Sequence, residues 1–195
     1  MERTARIQRK TTETDIAVDF CLDGTGTARV HTTIPFMDHM LGLFTKHGRF
    51  DLVIQASGDT EIDDHHLVED LGICLGDALK EALGSKKGIN RYGMALAPMD
   101  ETLCSVAIDI SGRPYLVYHV KFGNRKIRNF DAALLREFFK AMTDHSGITL
   151  HINLVYGKNT HHIAEATFKA FAQALRGAVM ILEGREDIPS TKGLL

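Results

Sequence analysis

Cysteine is scarce in this chain of 195 residues, with only Cys21, Cys74 and Cys104, far apart from one another. An odd, dispersed set offers neither a disulfide framework nor a Cys-x-x-Cys clip, which leaves them as small buried residues. Charge of one sign is lacking too: 23 Lys and Arg against 25 Asp and Glu give a formal net charge of −2. The basic excess of a nucleic-acid binder is therefore missing. No stretch approaches the ~18 consecutive apolar residues of a membrane span. Met1-Glu2-Arg3-Thr4-Ala5-Arg6 has no apolar signal core, so a cytoplasmic protein is expected. There is no Walker loop and no dinucleotide fingerprint, and Gly24-Thr25-Gly26 fits a hairpin turn better than a cofactor loop. The length is enough to bury about 70% of the unfolded surface, so a metal is not needed to make a core.

What the chain does contain is one motif written twice. Asp64-His65-His66-Leu67-Val68-Glu69 recurs as Thr160-His161-His162-Ile163-Ala164-Glu165, with His65 and His161 96 positions apart. On a helix, residues four apart share a face, while adjacent residues diverge by about 100°. His65 and Glu69 can thus serve one ion and His66 another, so adjacent histidines suit two metals. Imidazole and carboxylate without nearby thiolate favour Mn, Fe, Co, Ni or Zn over a structural Cys-rich zinc site. A single His-His pair is usually a solvated or capped surface feature; two copies in matching contexts point to metal. Asp63, Asp64 and Thr160 are N-cap residue types, and a helix N-terminus favours the neutral imidazole that a metal requires.

The repeat extends beyond the motif. Asp51-Leu-Val-Ile-Gln matches Thr149-Leu-His-Ile-Asn, Asp38-His39-Met40-Leu41 matches Arg136-Glu137-Phe138-Phe139, and His47 matches His145, each at an offset of 98. Such self-similarity indicates an internal duplication. Alternation predicts strands at Ala5–Lys10, Asp15–Leu22 and Ala28–Thr32, with Gly24-x-Gly26 turning between the last two. Helical spacing follows at Phe36–His47, a strand at Asp51–Ala56 and a helix from about Asp64 to Leu83. The second half repeats the order, with strands Met94–Met99, Leu103–Ile110 and Tyr115–Val120, helix Asp131–Thr143, strand Thr149–Val155 and helix His161–Leu182. Each half is βββαβα. The expected fold is α+β, a single domain of two mainly antiparallel four-stranded sheets with helices packed between them. The pseudo-repeats run over about 1–88 and 89–183, meeting near Lys86-Lys87-Gly88, and an irregular tail covers 184–195.

Two further constellations carry chemistry. The duplication places His39 and Glu137, both competent ligands, at equivalent points on the preceding helices. Arg91, Arg113, Lys169 and Lys192 are scattered cations, each by itself an ordinary surface charge. Ser190-Thr191-Lys192-Gly193 nevertheless combines hydroxyls, an ammonium and backbone donors, as a phosphate site requires.

Taken together, the paired His-His-x-x-Glu motifs, Arg9-Lys10-Thr11-Thr12-Glu13-Thr14, Pro35-Phe36-Met37-Asp38-His39-Met40-Leu41 and the Ser190-Thr-Lys-Gly tail closely resemble the imidazoleglycerol-phosphate dehydratase family, from Arg6 to Leu195. The resemblance implies a lyase of histidine biosynthesis that dehydrates D-erythro-imidazole glycerol phosphate to imidazole acetol phosphate with two manganese ions per active site. It implies metal ligands at His39, His65, His66, Glu69, His161, His162 and Glu165, and an eighth at Glu137, where several relatives have His. It implies substrate contacts at Glu13, His39, His47, His65, Glu69, Arg91, Arg113, His161, Lys169, Ser190 and Lys192. Relatives form shells of twenty-four subunits with sites between subunits, and a similar homo-oligomer is implied here, without nucleic-acid or membrane partners. The phosphatase domain fused to some bacterial relatives has no room in this chain.

The chemistry explains the need for metal. The proton to be removed lies on a carbon beside an imidazole, with no carbonyl to hold the charge, so the ring must be the electron sink. Metal ligation makes its imidazolate form accessible. Glu13 is the first candidate for acid-base work and Glu165 the second. The phosphate would anchor the reacting carbons by remote binding energy. A dinuclear metallohydrolase acting on a phosphorylated small molecule is the rival enzyme, distinguished by phosphate release. A metal-storage protein is the non-enzymatic rival, which leaves Glu13 and the cationic tail without a role.

Overall fold

The structure is a computed structural model that describes residues 2–195. The first half comprises β1 (Thr4–Lys10), β2 (Thr14–Cys21), β3 (Ala28–His31), α1 (Pro35–Gly48), β4 (Asp51–Gly58) and α2 (His65–Leu83). The second comprises β5 (Tyr92–Met99), β6 (Thr102–Asp109), β7 (Tyr115–His119), β8 (Lys126–Ile127), β9 (Phe130–Asp131), α3 (Leu134–Ser146), β10 (Thr149–Tyr156) and α4 (Thr160–Val179). The duplicated βββαβα order is present, with the short β8–β9 hairpin added to the second copy.

Each half forms a four-stranded sheet, β1-β2-β4-β3 and β5-β6-β10-β7. Strand alternation sets the two faces. In β2, Thr14, Ile16, Val18 and Phe20 are buried against helices, and in β6 Thr102, Cys104, Val106 and Ile108 are, while the intervening residues face outward. Cys74 and Cys104 are buried and free, as small core residues.

Two of the three pairings in each sheet are antiparallel, but β3 lies parallel to β4 and β7 parallel to β10. The expected Gly24-x-Gly26 hairpin is therefore absent. The loop is shaped instead by the Asp51 carboxylate, which accepts the backbone N–H groups of Thr25, Gly26 and Thr27 at 2.8–3.0 Å. Gly24 is needed because a Cβ there would lie 2.3 Å from Asp51 N. The loop carries the chain past β2 to the far side of β4, and α1 makes the crossover between parallel strands.

The helices form the layer between the sheets, α2 on β1 and β2, α4 on β5 and β6, with α1 against α4 and α2 against α3. Contacts advance in step along both seams: Phe36 meets His161 and Phe44 meets Phe171, while Gly72 meets Phe138 and Gly76 meets Met142 and His145. Each pair of helices thus runs parallel. Phe138, Phe139, Phe168 and Phe171 fill the centre.

Two helix boundaries differ from expectation. α3 starts at Leu134 rather than Asp131, because residues 126–131 form the β8–β9 hairpin. α4 stops at Val179 rather than Leu182. Beyond it, Met180 O accepts from Asn90 N, Leu182 N donates to Gly88 O, and Ile181 bridges Ile89. No helix of the described residues is long and apolar enough to cross a membrane.

The α2–α3 seam gives a direct test of this packing. A Cβ on Gly72 would sit 2.5 Å from the backbone oxygen of Phe138, whereas one on Gly42 in α1 would meet nothing within 4 Å. Gly72→Ala is expected to destabilise by about 1–3 kcal/mol through overpacking, despite alanine's better helix propensity. Gly42→Ala should be neutral or gain up to about 1 kcal/mol. Denaturant unfolding at fixed protein concentration measures both, and equal stabilities would contradict the close seam.

Candidate active site

Both helices of the α1–α4 seam are fixed at their starts. Pro35 occupies the first turn of α1, where its missing N–H costs nothing. The Asp38 carboxylate, one residue before His39, accepts from Thr32 N at 2.8 Å and Thr32 Oγ1 at 2.6 Å. In α4 the cap is Asn159 rather than the expected Thr160: its side-chain oxygen accepts from His161 N at 2.9 Å and His162 N at 3.4 Å. Asp64 occupies the cap position of α2 without a side-chain bond, and Asp63 accepts from His65 N at 2.7 Å instead.

These starts bring His39, His161 and Glu165 together. Glu165 Oε1 lies 2.9 Å from His39 Nε2 and 3.0 Å from His161 Nε2, and Oε2 accepts from Lys169 Nζ at 2.6 Å. One ligand atom from each of the three lies within 4.8 Å of the others, and theirs is the only such group among the described residues. Burial alone would push the Glu165 carboxyl up, but the bonds from Lys169, His39 and His161 outweigh it and hold the pKa at about 2. Two imidazole nitrogens and one carboxylate fit a divalent first-row metal and leave coordination positions for a substrate.

The second histidine of each pair turns away, as the 100° rotation requires. His162 Nδ1 lies 2.7 Å from Glu101 Oε2, and His66 Nδ1 lies 3.0 Å from Asp59 Oδ2. These hydrogen bonds raise the pKa of both imidazoles, and the His162 bond draws the Glu101 carboxyl down. A carboxylate on Nδ1 fixes the ring and leaves Nε2 for a metal. Spacing did not single out Asp59 or Glu101. Asp59 lies in the acidic loop just before the motif, which was a usable signal; Glu101 lies in the β5–β6 turn, 61 residues from His162, with none.

The remaining expected ligands do not converge within one chain. His65 Nε2 is 3.7 Å from Glu69 Oε2, and Glu137 pairs with Arg136 at 3.0 Å. Glu13, in the β1–β2 turn, stands 3.8 Å from His66 Nδ1. His47 is near Lys169, and burial together with that ammonium lowers its pKa. Arg91, Arg113, Ser190 and Lys192 do converge: they line a cavity of about 810 Å³ with His145, Lys80 and Lys86. Arg91 is anchored there, donating to Asp109 and to Pro189 O, each at 2.7 Å. No member of the His39–His161–Glu165 trio lines this cavity.

The family model for imidazoleglycerol-phosphate dehydratase matches residues 32–175. The chain belongs to the imidazoleglycerol-phosphate dehydratase family. It is 62% identical to the imidazoleglycerol-phosphate dehydratase of Syntrophus aciditrophicus, over 99% of this chain and 98% of that one. It is 56% identical to that of Geobacter sulfurreducens over the full length of both. Among solved structures, the dehydratase of Staphylococcus aureus matches with a TM-score of 0.82 at 42% identity, over 92% of this chain and 99% of that one. The Pyrococcus furiosus enzyme in complex with (S)-C348 matches with a TM-score of 0.84 at 38% identity, over 97% and 100%. The activity is a hydro-lyase reaction of histidine biosynthesis, which sets aside the hydrolase and storage readings.

The depressed Glu165 pKa has a consequence for stability. A carboxyl ionised down to about 2 in the folded chain, against about 4.3 unfolded, stabilises the fold above the unfolded value. That contribution fades as pH falls through the window between the two. In metal-free protein, Lys169→Met removes the ammonium, so Glu165 should titrate nearer its ordinary value. The stability lost between pH 6 and pH 3 should then be smaller than in the unsubstituted chain, as read by denaturant unfolding at ~pH 6 and ~pH 3. An identical loss would show that Lys169 does not hold the carboxylate.

Proposed function

We propose that the α1–α4 seam is the reacting centre, where His39, His161 and Glu165 hold one of two manganese ions. The observation that carries this reading is the convergence of two Nε2 atoms on one buried carboxylate oxygen. The second ion belongs to His65, Glu69 and Glu137, with His66 and His162 reaching outward to ions shared between chains. Ligands that stay apart within one chain support a homo-oligomer with sites between subunits, a shell of twenty-four. The substrate is D-erythro-imidazole glycerol phosphate and the product imidazole acetol phosphate. Bound manganese would supply Lewis acidity that lets the substrate's imidazole ring accept electron density.

The chain's own residues do the rest. The hydroxyl on the carbon attached to the ring leaves as water once protonated, and Glu13 takes the proton not from that carbon but from the next one along the chain; the resulting enol ketonises, with its carbonyl between the ring-bearing carbon and the phosphorylated one. Glu165 is the weaker base, because a carboxylate already bonded to Lys169, His39 and His161 has little affinity for a proton. Arg91, Arg113, Ser190 and Lys192 hold the phosphate, with Lys169 and His47 approaching from the seam. The separation of cavity and trio within one chain supports a phosphate pocket of one subunit serving the metal ligands of another.

Two variants test this reading in one experiment. His161→Ala is expected to lose metal from the seam and turnover with it. Glu13→Gln keeps every ligand and should bind substrate and manganese normally, yet show a single-turnover dehydration rate slowed by at least about 100-fold, the usual contribution of a positioned acid-base group. Full metal content and activity in His161→Ala would remove the seam from the reaction. A near-unsubstituted rate in Glu13→Gln would move the proton to another group.

A further inference from the structure

The two halves differ by one built element. Ala28 in β3 pairs with Leu52, and Leu116 in β7 pairs with the equivalent Leu150, so Ala28 and Leu116 correspond at an offset of 88. At α1 and α3 the offset is 98, as His47 and His145 show. The second half therefore carries ten extra residues between its third strand and first helix, and they build the β8–β9 hairpin.

This hairpin is closed on itself and fastened to both helices that present the trio. Lys126 pairs with Asp131 and Ile127 with Phe130 across the two strands. Arg125 adds a salt bridge to Asp131 at 3.2 Å, and Ala132 N donates to Arg125 O at 2.7 Å. Towards α1, buried Phe130 packs on Phe36 at 4.9 Å, and Phe36 meets the His161 ring edge-on at 5.7 Å. Towards α4, the hydroxyl of buried Thr160 donates to Asn124 O at 2.7 Å, one residue before His161. The first turns of α1 and α4 are thus tied to one hairpin and the loop that leads into it.

The other seam differs in its donors and in its support. It carries one imidazole and two carboxylates, His65, Glu69 and Glu137, and the hairpin runs directly into α3, where Asp131 Oδ1 accepts from Ala133 N at 2.9 Å, without a hydrogen bond to α2 among the described residues. There the histidine and carboxylate are 3.7 Å apart and Glu137 is paired with Arg136, so no trio forms. We infer that the inserted hairpin is a clamp that preorganises the α1–α4 seam, so that this seam takes a divalent ion within a single chain while the α2–α3 set needs a second copy to complete it. Holding both helix starts in place beforehand removes the ordering cost that ion binding would otherwise bear. Phe36, Phe130, Asn124 and Thr160 are positioning residues acting through His161. The inference rests on the reading that the trio holds metal.

The test is a titration of metal-stripped protein with manganese(II), following free ion by electron paramagnetic resonance and heat by calorimetry. The unsubstituted chain should show a tight and a weak class of site. Thr160→Val, which keeps shape but removes the hydroxyl, and Phe130→Leu should each weaken the tight class by about tenfold or more, as losing an outer-sphere support does. The weak class should be unchanged, and Thr160→Ser should restore tight binding. If Phe130→Leu fails to fold, Thr160→Val decides alone. Tight binding retained in these variants but abolished by His161→Ala would overturn the clamp and leave the trio intact. Equal weakening of both classes would likewise overturn it, and tight binding that survives His161→Ala would sink the reading of the trio itself.

Discussion

A buried carboxylate shared by two imidazoles and an ammonium makes strict demands on what surrounds it. Removing any partner from Glu165 leaves the charge of a buried carboxylate poorly compensated, although the two imidazoles beside it still reach solvent. His39 must come from α1, and His161 and Lys169 from successive turns of α4. The two helices must therefore lie side by side, run the same way and start level. Fixed starts supply this: Pro35 and Asp38 in α1, the Asn159 cap in α4. His39 thereby follows the first turn of α1 and His161 lies in the first turn of α4, at the level where the two starts meet.

Duplication gives the fold two such seams, and side-chain differences make them unequal. Lys169, which secures Glu165, has Ile73 as its counterpart at the 96-residue offset, and His39 has Glu137. Gly72 and Gly76 let α3 approach α2 closely, whereas Phe44, Phe168 and Phe171 fill the corresponding space beside α4. One scaffold thus presents a gathered site at one seam and separated donors at the other.

Elements set by local periodicity were legible in the sequence. The alternation of β2 and β6, the helical stripe of α2 and the His-His-x-x-Glu spacing all follow from side-chain geometry within a few residues. Features set by distant contacts were not. Gly24-Thr25-Gly26 has the composition of a hairpin turn, but the Asp51 carboxylate, 24 to 26 residues away, shapes it differently. The two-residue strands β8 and β9 are too short to show alternation, and Asp131, which ends the hairpin, reads as the start of α3. The end of α4 depended on a bridge to Ile89. Arg91, Arg113, Ser190 and Lys192 were legible as anion-binding types, but their common cavity is a product of the fold.

The central claim is that His39, His161 and Glu165 hold a metal in the α1–α4 seam. Anomalous diffraction at the manganese absorption edge, from crystals of the manganese-loaded protein, tests it most directly. The account predicts a peak within about 2.0–2.3 Å of His39 Nε2, His161 Nε2 and a Glu165 carboxylate oxygen, the range of divalent metal–ligand bonds. Manganese peaks found elsewhere in fully loaded crystals, with Glu165 still bonded to both imidazoles and none in the seam, would contradict it.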